Sequence, residues 1–103
     1  MKGINGQMSI FDFMGDFGNM TLKEIADAIG WRVGITFTQK GSEYQWTRKR
    51  MTISISLDSY HMSRQNFIDV SWSHGTDGGG YPCDTIDIAA EHIRHILDRY
   101  KGG

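Results

Sequence analysis

Apolar and hydroxyl-bearing residues alternate without interruption from Met51 to Leu57, and this run restricts the fold more than any other part of the chain. Successive side chains of a β-strand point to opposite faces of the sheet. The apolar residues therefore share one face, and the threonine and serines between them share the other. This alternation predicts a strand with one buried and one wet face, and the region from Tyr44 to Leu57 is either one long strand or two halves of one.

Two further segments, Trp31 to Thr38 and Asn66 to Ser73, show the same alternation and are predicted to be strands. The residues expected on their buried faces are Trp31, Val33, Ile35 and Phe37 in the first segment and Ile68, Val70 and Trp72 in the second. The segment from His74 to Cys83 is rich in glycine and is expected to form a long loop.

Helical patterns flank this strand region. Thr21 followed by Glu24 forms a capping-box pattern, and apolar residues then recur at helical spacing until Gly30, which predicts a helix of about two turns. A longer helix is expected from Asp84 or Thr85 to about Tyr100, because its apolar residues keep the i, i+3, i+4, i+7 spacing. These residues are Ile86, Ala89, Ala90, Ile93, Ile96, Leu97 and Tyr100.

The element order is helix, three strands, helix, and 103 residues suffice for one domain with a modest core. We predict the α+β class, as a two-layer αβββα domain with a three-stranded antiparallel meander, both helices on one face, and an extended N-terminal arm. Residues 1–18 are assigned to the arm and a hinge, and residues 19–103 to the domain. The order resembles that of the double-stranded RNA-binding domain, but Asp84 and Asp87 replace the lysines that this family places against phosphates.

Charge and cysteine content narrow the classes of function. Eleven Lys and Arg against twelve Asp and Glu give a net charge of −1, which disfavours a strongly acidic DNA mimic and a strongly basic nucleic-acid binder. Residues 31–64 nevertheless carry +4, whereas the segments before and after them carry −2 and −3. With a single cysteine, Cys83, and neither a signal-peptide core nor a membrane-spanning apolar run, a cytoplasmic protein is expected.

The strongest functional signal is the stretch Gln7-Met8-Ser9-Ile10-Phe11, continued by Asp12 and Phe13. It resembles the peptide by which bacterial replication and repair proteins dock on the DNA-polymerase sliding clamp: Gln, a small aliphatic residue, Ser or Asp, Leu or Ile, then Phe. The resemblance covers only these five residues. It implies that a clamp is contacted by Gln7, Met8, Ile10, Phe11 and Phe13.

These residue types suit such a contact. A carboxamide such as that of Gln7 both donates and accepts hydrogen bonds at a pocket rim, while Ile10 and Phe11 fill an apolar pocket. The competing interpretation is an N-terminal arm whose apolar side chains pack on the domain itself.

A second candidate surface combines aromatic and basic residues in the middle of the chain: Tyr44, Trp46, Arg48, Lys49 and Arg50. Aromatic rings stack on nucleic-acid bases and cations neutralise phosphates, so the pattern fits a nucleic-acid patch. It equally fits a charged strand edge that prevents aggregation, or a surface that meets an acidic protein.

Metal and catalytic chemistry have weaker patterns. His92 and His95 are three residues apart, and the sequence offers His74 or Cys83 as further ligands of a metal site, or Cys83 with His74 or His92 as a Cys-His pair. No second cysteine or orienting group accompanies them, and Gly78-Gly79-Gly80 lacks the Lys-Ser/Thr ending of a phosphate-binding loop. We therefore expect no enzyme, no metal and no cofactor.

Three functions remain open. The first is a small non-enzymatic adaptor or inhibitor of bacterial or phage origin that docks on the sliding clamp through its N-terminal peptide. The second is a host-defence inhibitor of the anti-CRISPR type, which binds a nuclease through the folded domain. The third is a nucleic-acid-binding module.

Overall fold

A computed structural model describes residues 20–59 and 66–101 of the chain. Its elements are α1 (Leu22–Val33), β1 (Thr38–Lys40), β2 (Glu43–Arg48), β3 (Met51–Ser59), β4 (Asn66–His74), β5 (Asp77–Cys83) and α2 (Ile86–Arg99). The strands of the described chain form one antiparallel sheet in the order β1-β2-β3-β4-β5. The α+β class is confirmed, but the expected number of three strands is wrong, since residues 20–59 and 66–101 form five.

Three two-residue turns connect β1 to β2, β2 to β3 and β4 to β5, and the last two of them account for the extra strands. They are Gly41-Ser42, Lys49-Arg50 and Gly75-Thr76, and the first residue of each has a positive φ, of 64°, 54° and 64°. A positive φ at this position matches the right-handed twist of the flanking strands. The predicted strand region 44–57 is therefore split into β2 and β3, and most of the predicted loop 74–83 forms β5.

Helix α1 begins where the sequence predicts and ends about one turn later. The Glu24 N–H donates to Thr21 Oγ1 over 3.1 Å and the Thr21 N–H donates to Glu24 Oε1 over 2.8 Å, which completes the capping box. Gly30 does not end the helix. Gly34, at a left-handed φ of 81°, caps it and donates its N–H to the Gly30 carbonyl over 2.7 Å.

The strand predicted from Trp31 to Thr38 is therefore wrong. Trp31 and Val33 belong to the last turn of α1, residues 35–37 form an irregular connection, and only Thr38 enters β1. Trp31, expected in the core, is 86% exposed, whereas Phe37 is 5% exposed and packs in the core as expected. An alternation of four apolar residues is too short to distinguish a strand from a helix end followed by an extended connection.

The two helices cover the same face of the sheet, since their buried side chains join the inward-facing side chains of the strands in one core. The members of the core that are wholly buried are Ile25, Ala26, Ile29, Ile53, Ile55, Ile68, Val70, Cys83, Ala89 and Ile93. Each large apolar side chain buried in this way contributes about 1.5 to 3 kcal/mol. Leu57 was expected inside but is 39% exposed, so the buried face of β3 ends at Ile55.

Helix α2 closes the core and ties the two helices together. The Thr85 hydroxyl accepts the Ile88 N–H over 3.1 Å, so Thr85 rather than Asp84 is the N-cap. Arg32 Nε lies 3.2 Å from Asp87 Oδ1, which places the end of α1 against the start of α2.

Candidate functional site

The most basic part of the described surface is the Lys49-Arg50 turn between β2 and β3 together with Arg48, the last residue of β2, and we call these three residues the basic tip. Its neighbour is the turn between β4 and β5, because Met51 pairs with Arg48 on one side and with His74 on the other. The Gly75 N–H donates to the Arg50 carbonyl over 3.4 Å. Two hairpin turns thus form one end of the sheet, and the basic tip is fixed on it.

The charges of the basic tip are not neutralised within the described chain. All three side chains are exposed, and no carboxylate of residues 20–59 or 66–101 lies within 4.0 Å of their cationic groups. By contrast, Lys23 and Arg94 have carboxylate partners at 2.8 Å and 3.0 Å. Clustered like charges without counter-charges create a positive potential that attracts anions or acidic surfaces.

Lys49 occupies a backbone conformation that normally requires glycine. Its φ is 54°, and the corresponding positions of the other two turns are Gly41 and Gly75. A residue with a Cβ pays about 1 kcal/mol or more for this conformation. Strain of this kind collects at functional positions, so Lys49 is the residue of the basic tip with the strongest indication of a functional role.

The structure separates the predicted aromatic and basic patch into two parts. Tyr44, Trp46 and Arg48 alternate along the helix-facing side of β2, and the two aromatic residues are half-buried and pack against the core. The Arg48 guanidinium lies 5.3 Å from the centre of the Trp46 ring, a cation–π distance. Lys49 and Arg50 form the turn that follows Arg48, so the three cations lie together. The Tyr44 and Trp46 rings instead pack against the core of the domain.

An aromatic cluster next to the basic tip was not anticipated from the sequence. The Tyr100 ring stacks on His74 at 4.2 Å and lies 5.5 Å from the centre of the Trp72 ring. The Tyr100 hydroxyl donates to Asp77 Oδ2 over 3.3 Å. This cluster fixes the end of α2 beside the hairpin turns, and the aromatic residue at the last apolar position of α2 was the only signal for it.

A groove of about 470 Å³ lies between α2 and edge strand β5, lined by Tyr81, Asp87, Ile88, Glu91, His92 and His95. The Tyr81 and His92 rings stack with their centres 4.9 Å apart. His92 Nε2 is buried and has no hydrogen-bond partner among the described residues. Burial lowers the pKa of His92, and the nearby His95 lowers it further, so both effects favour the neutral imidazole.

A smaller groove of about 300 Å³ lies between the end of α1 and the 35–37 connection, and the exposed Trp31 forms part of its wall. Exposed tryptophans are enriched among residues that dominate protein–protein binding energies. The alternating pattern of residues 31–38 predicts Trp31 in the core, so the sequence carries no signal for Trp31 as a surface residue.

The residues weighed for metal and thiol chemistry are not assembled into a site. Among residues 20–59 and 66–101, no three His, Cys, Asp or Glu side chains come close enough together to hold a metal ion. Cys83 is buried and donates its thiol to the Tyr81 carbonyl over 3.6 Å. Burial, with smaller effects of Asp84 and Asp69, raises the pKa of the Cys83 thiol to about 11, which is opposite to the shift that activates a nucleophile.

The sliding-clamp motif lies outside the described residues. Gln7, Met8, Ile10, Phe11 and Phe13 all precede Met20, the first residue that the structure describes. The predicted division between an arm of residues 1–18 and a domain from residue 19 also lies outside the described residues and stays a prediction.

Fold and surfaces define a two-layer α+β domain with a basic tip at one end of its sheet. Neither helix of the described chain has the length and apolar character needed to cross a membrane. No protein-family model matches the chain, and searches of curated proteins and of solved structures find no match either.

Proposed function

We propose that this chain is a small non-enzymatic adaptor or inhibitor of bacterial or phage origin that docks on the DNA-polymerase sliding clamp through Gln7–Phe11. The observation that carries the proposal is the five-residue match of this stretch to the clamp-docking peptide. Docking of the peptide would then bring the folded domain to the clamp.

The affinity expected for such a peptide is modest. Burial of Ile10 and Phe11 contributes about 1.5 to 3 kcal/mol each, and the ordering of a peptide on its partner opposes part of this gain. A dissociation constant in the micromolar range follows, corresponding to about 8 kcal/mol at best.

The distance in sequence between the docking peptide and the described domain allows the peptide to bind the clamp while the domain stays folded beside it. Nine positions separate Phe11 from Met20, the first described residue. A fully extended chain of this length spans at most about 30 Å. A docked peptide therefore keeps the domain close to the clamp and to the DNA on which the clamp acts.

The test of this proposal is competition for one site on a purified bacterial clamp. A labelled peptide of residues 7–13 is bound to the clamp, and the intact protein is titrated against it. Displacement of the label supports the proposal. Failure of the intact protein to displace it, while unlabelled peptide does, would show that the segment is not accessible in the whole chain.

A second candidate function is favoured by the basic tip: the domain binds the phosphate backbone of a nucleic acid. The supporting observation is a cluster of three cations, at and beside a strained turn, that have no carboxylate partner among residues 20–59 and 66–101. Phosphate contacts make affinity fall steeply with salt. Binding that is insensitive to salt, or to Arg48→Ala combined with Arg50→Ala, would rule this function out.

The inhibitor alternative, an anti-CRISPR type of protein bound to a host nuclease, requires the folded domain alone. A chain without residues 1–18 then still copurifies with the nuclease and blocks its cleavage. The same deletion abolishes clamp binding, so one variant separates the two functions.

A further inference from the structure

Among residues 20–59 and 66–101, β5 is an edge strand of the sheet and pairs with β4 alone. It has seven residues, six of them exposed, whereas β1 at the opposite edge has only three. Proteins usually protect edge strands with charged side chains, proline or short length. The centre of β5 is Gly78-Gly79-Gly80, which carries no side chain that would block the approach of another strand.

The backbone groups that β5 offers follow from the turn before it. A two-residue turn makes His74 and Asp77 a hydrogen-bonded pair, and such pairs alternate along an antiparallel ladder. The backbone groups of Gly78, Gly80 and Pro82 therefore point away from β4. Pro82 has no N–H to offer, which suits a position on the outward side of an edge strand.

We propose that β5 pairs with the β5 strand of a second copy of this chain, across a two-fold axis at Gly80. In this register Gly80 exchanges both of its backbone hydrogen bonds with the partner's Gly80. The Gly78 N–H donates to the carbonyl of the partner's Pro82, and symmetry supplies the reverse bond. The sheets of the two copies become one continuous antiparallel sheet. The β5 strand of each copy is then paired on both sides.

Side chains on the helix-facing side support this register. Tyr81 is 49% exposed and stands opposite the partner's Gly79, so no side chain of that strand competes with its ring. Trp72 lies over Gly79, with its Nε1 3.2 Å from the point that a Cβ on Gly79 would occupy. Each Tyr81 ring therefore meets the partner's Trp72. The exposed Tyr81 rings of both copies become covered.

Helix charges are complementary in the same arrangement. Antiparallel pairing of β5 places α2 antiparallel to the partner's α2 on the same face of the sheet. The start of α2 carries Asp87, and its last turn carries Arg99, so the acidic end of each helix faces the basic end of the other. Ile88, which is 43% exposed in the groove beside β5, lies between the two helices.

Charge at position 80 provides the test. The nearest atom to a Cβ on Gly80 is the Val70 carbonyl oxygen at 3.6 Å, so a side chain fits there in the single copy. In Gly80→Lys the two substituted side chains stand directly opposite each other, and like charges in that position repel. In Gly80→Glu, two negative charges repel each other at the same place. When the two variants are mixed, a dimer with one copy of each places a lysine opposite a glutamate.

Sedimentation velocity on the full chain over a range of concentrations measures the result. We expect the wild-type protein to approach twice its monomer mass of 11.7 kDa. Gly80→Lys and Gly80→Glu each weaken the dimer by at least about tenfold, and mixing them restores it. Thr38→Lys, which adds the same charge at the β1 edge, leaves the dimer unchanged.

Three outcomes overturn the proposal: a wild-type protein that stays monomeric at every concentration, a dimer unaffected by charge at position 80, or no recovery on mixing. Hydrogen exchange on the wild-type chain gives an independent measurement that needs no substitution. The Gly80 amide is protected at high concentration and exchanges freely on dilution, and equal exchange at both concentrations excludes the β5 contact.

Discussion

The Arg50 guanidinium lies directly over the backbone of Gly75, and the Gly75 N–H donates to the Arg50 carbonyl over 3.4 Å. This contact joins the turn between β2 and β3 to the turn between β4 and β5. Gly75 thus meets two requirements at once, a positive φ of 64° and room for the guanidinium above it. The position of Arg50 at the basic tip depends on both.

Gly41 offers a matched control for Gly75, because it has the same φ of 64° and nothing within 4 Å of its missing Cβ. Gly41→Ala is expected to lower the free energy of unfolding by about 1 kcal/mol, from backbone strain alone. Gly75→Ala is expected to lower it only slightly more, because the atoms that its Cβ would meet belong to the end of the exposed, flexible Arg50 side chain, which moves aside at low cost. Urea denaturation of both variants measures the difference, and equal losses would show that the Arg50 contact has no effect on stability.

Lys49→Gly is expected to change stability and binding in opposite directions. Removal of the Cβ at φ 54° relieves strain and raises the free energy of unfolding by about 1 kcal/mol. If the basic tip contacts phosphate, the same substitution weakens nucleic-acid binding and reduces the slope of log K against log salt by roughly 0.7 to 0.9. A variant that gains stability and keeps its full affinity and salt dependence would remove Lys49 from the binding surface.

Gly30 is predicted to reverse the usual preference for alanine in a helix. A Cβ at this position would overlap the Ile35 carbonyl oxygen, which the connection after α1 brings against the helix. Gly30→Ala therefore lowers the free energy of unfolding by about 1 to 3 kcal/mol, although the same change normally stabilises a helix by about 1 kcal/mol. Ala28→Gly in the same helix shows the ordinary effect, a loss of about 1 kcal/mol. Thermal or urea unfolding of both variants checks the two signs.

The buried Cys83 thiol predicts slow labelling and a loss of stability at high pH. Its pKa is raised to about 11 in the folded chain, above the ordinary thiol value of about 8.5, so the folded state holds the proton more tightly than the unfolded state. The contribution to stability is complete below about pH 8.5 and is lost as the pH rises toward 11. Iodoacetamide at pH 8 should label the native protein far more slowly than the urea-unfolded protein. Equal rates would show that the thiol is accessible.

The parts of the fold that could be predicted are the strands and helices whose apolar residues recur at regular spacing in the sequence. The Met51 to Ile55 alternation and the apolar stripe of α2 both place their residues in the core, because each element has one buried face. The capping box of Thr21 and Glu24 is local chemistry and needs no tertiary information.

The parts that could not be predicted depend on contacts distant in sequence. Gly30 carries a stop signal for a helix, but it is retained inside α1 because the Ile35 carbonyl approaches it closely. Strand β5 has low intrinsic strand preference, with three glycines and Pro82, and forms because β4 supplies its ladder. The basic tip is similar: its three cations are adjacent in sequence, but the strain at Lys49 and the contact of Arg50 with Gly75 exist only in the folded hairpins.

The central proposal, clamp docking through the N-terminal peptide, is tested most directly by calorimetric titration of the intact protein onto a purified bacterial sliding clamp. We predict a dissociation constant in the micromolar range, weakened at least about a hundredfold when Ile10→Ala and Phe11→Ala are combined. Ile4→Ala, outside the motif, should leave the affinity unchanged. No binding up to millimolar clamp, or an affinity that the double substitution does not alter, would contradict the proposal.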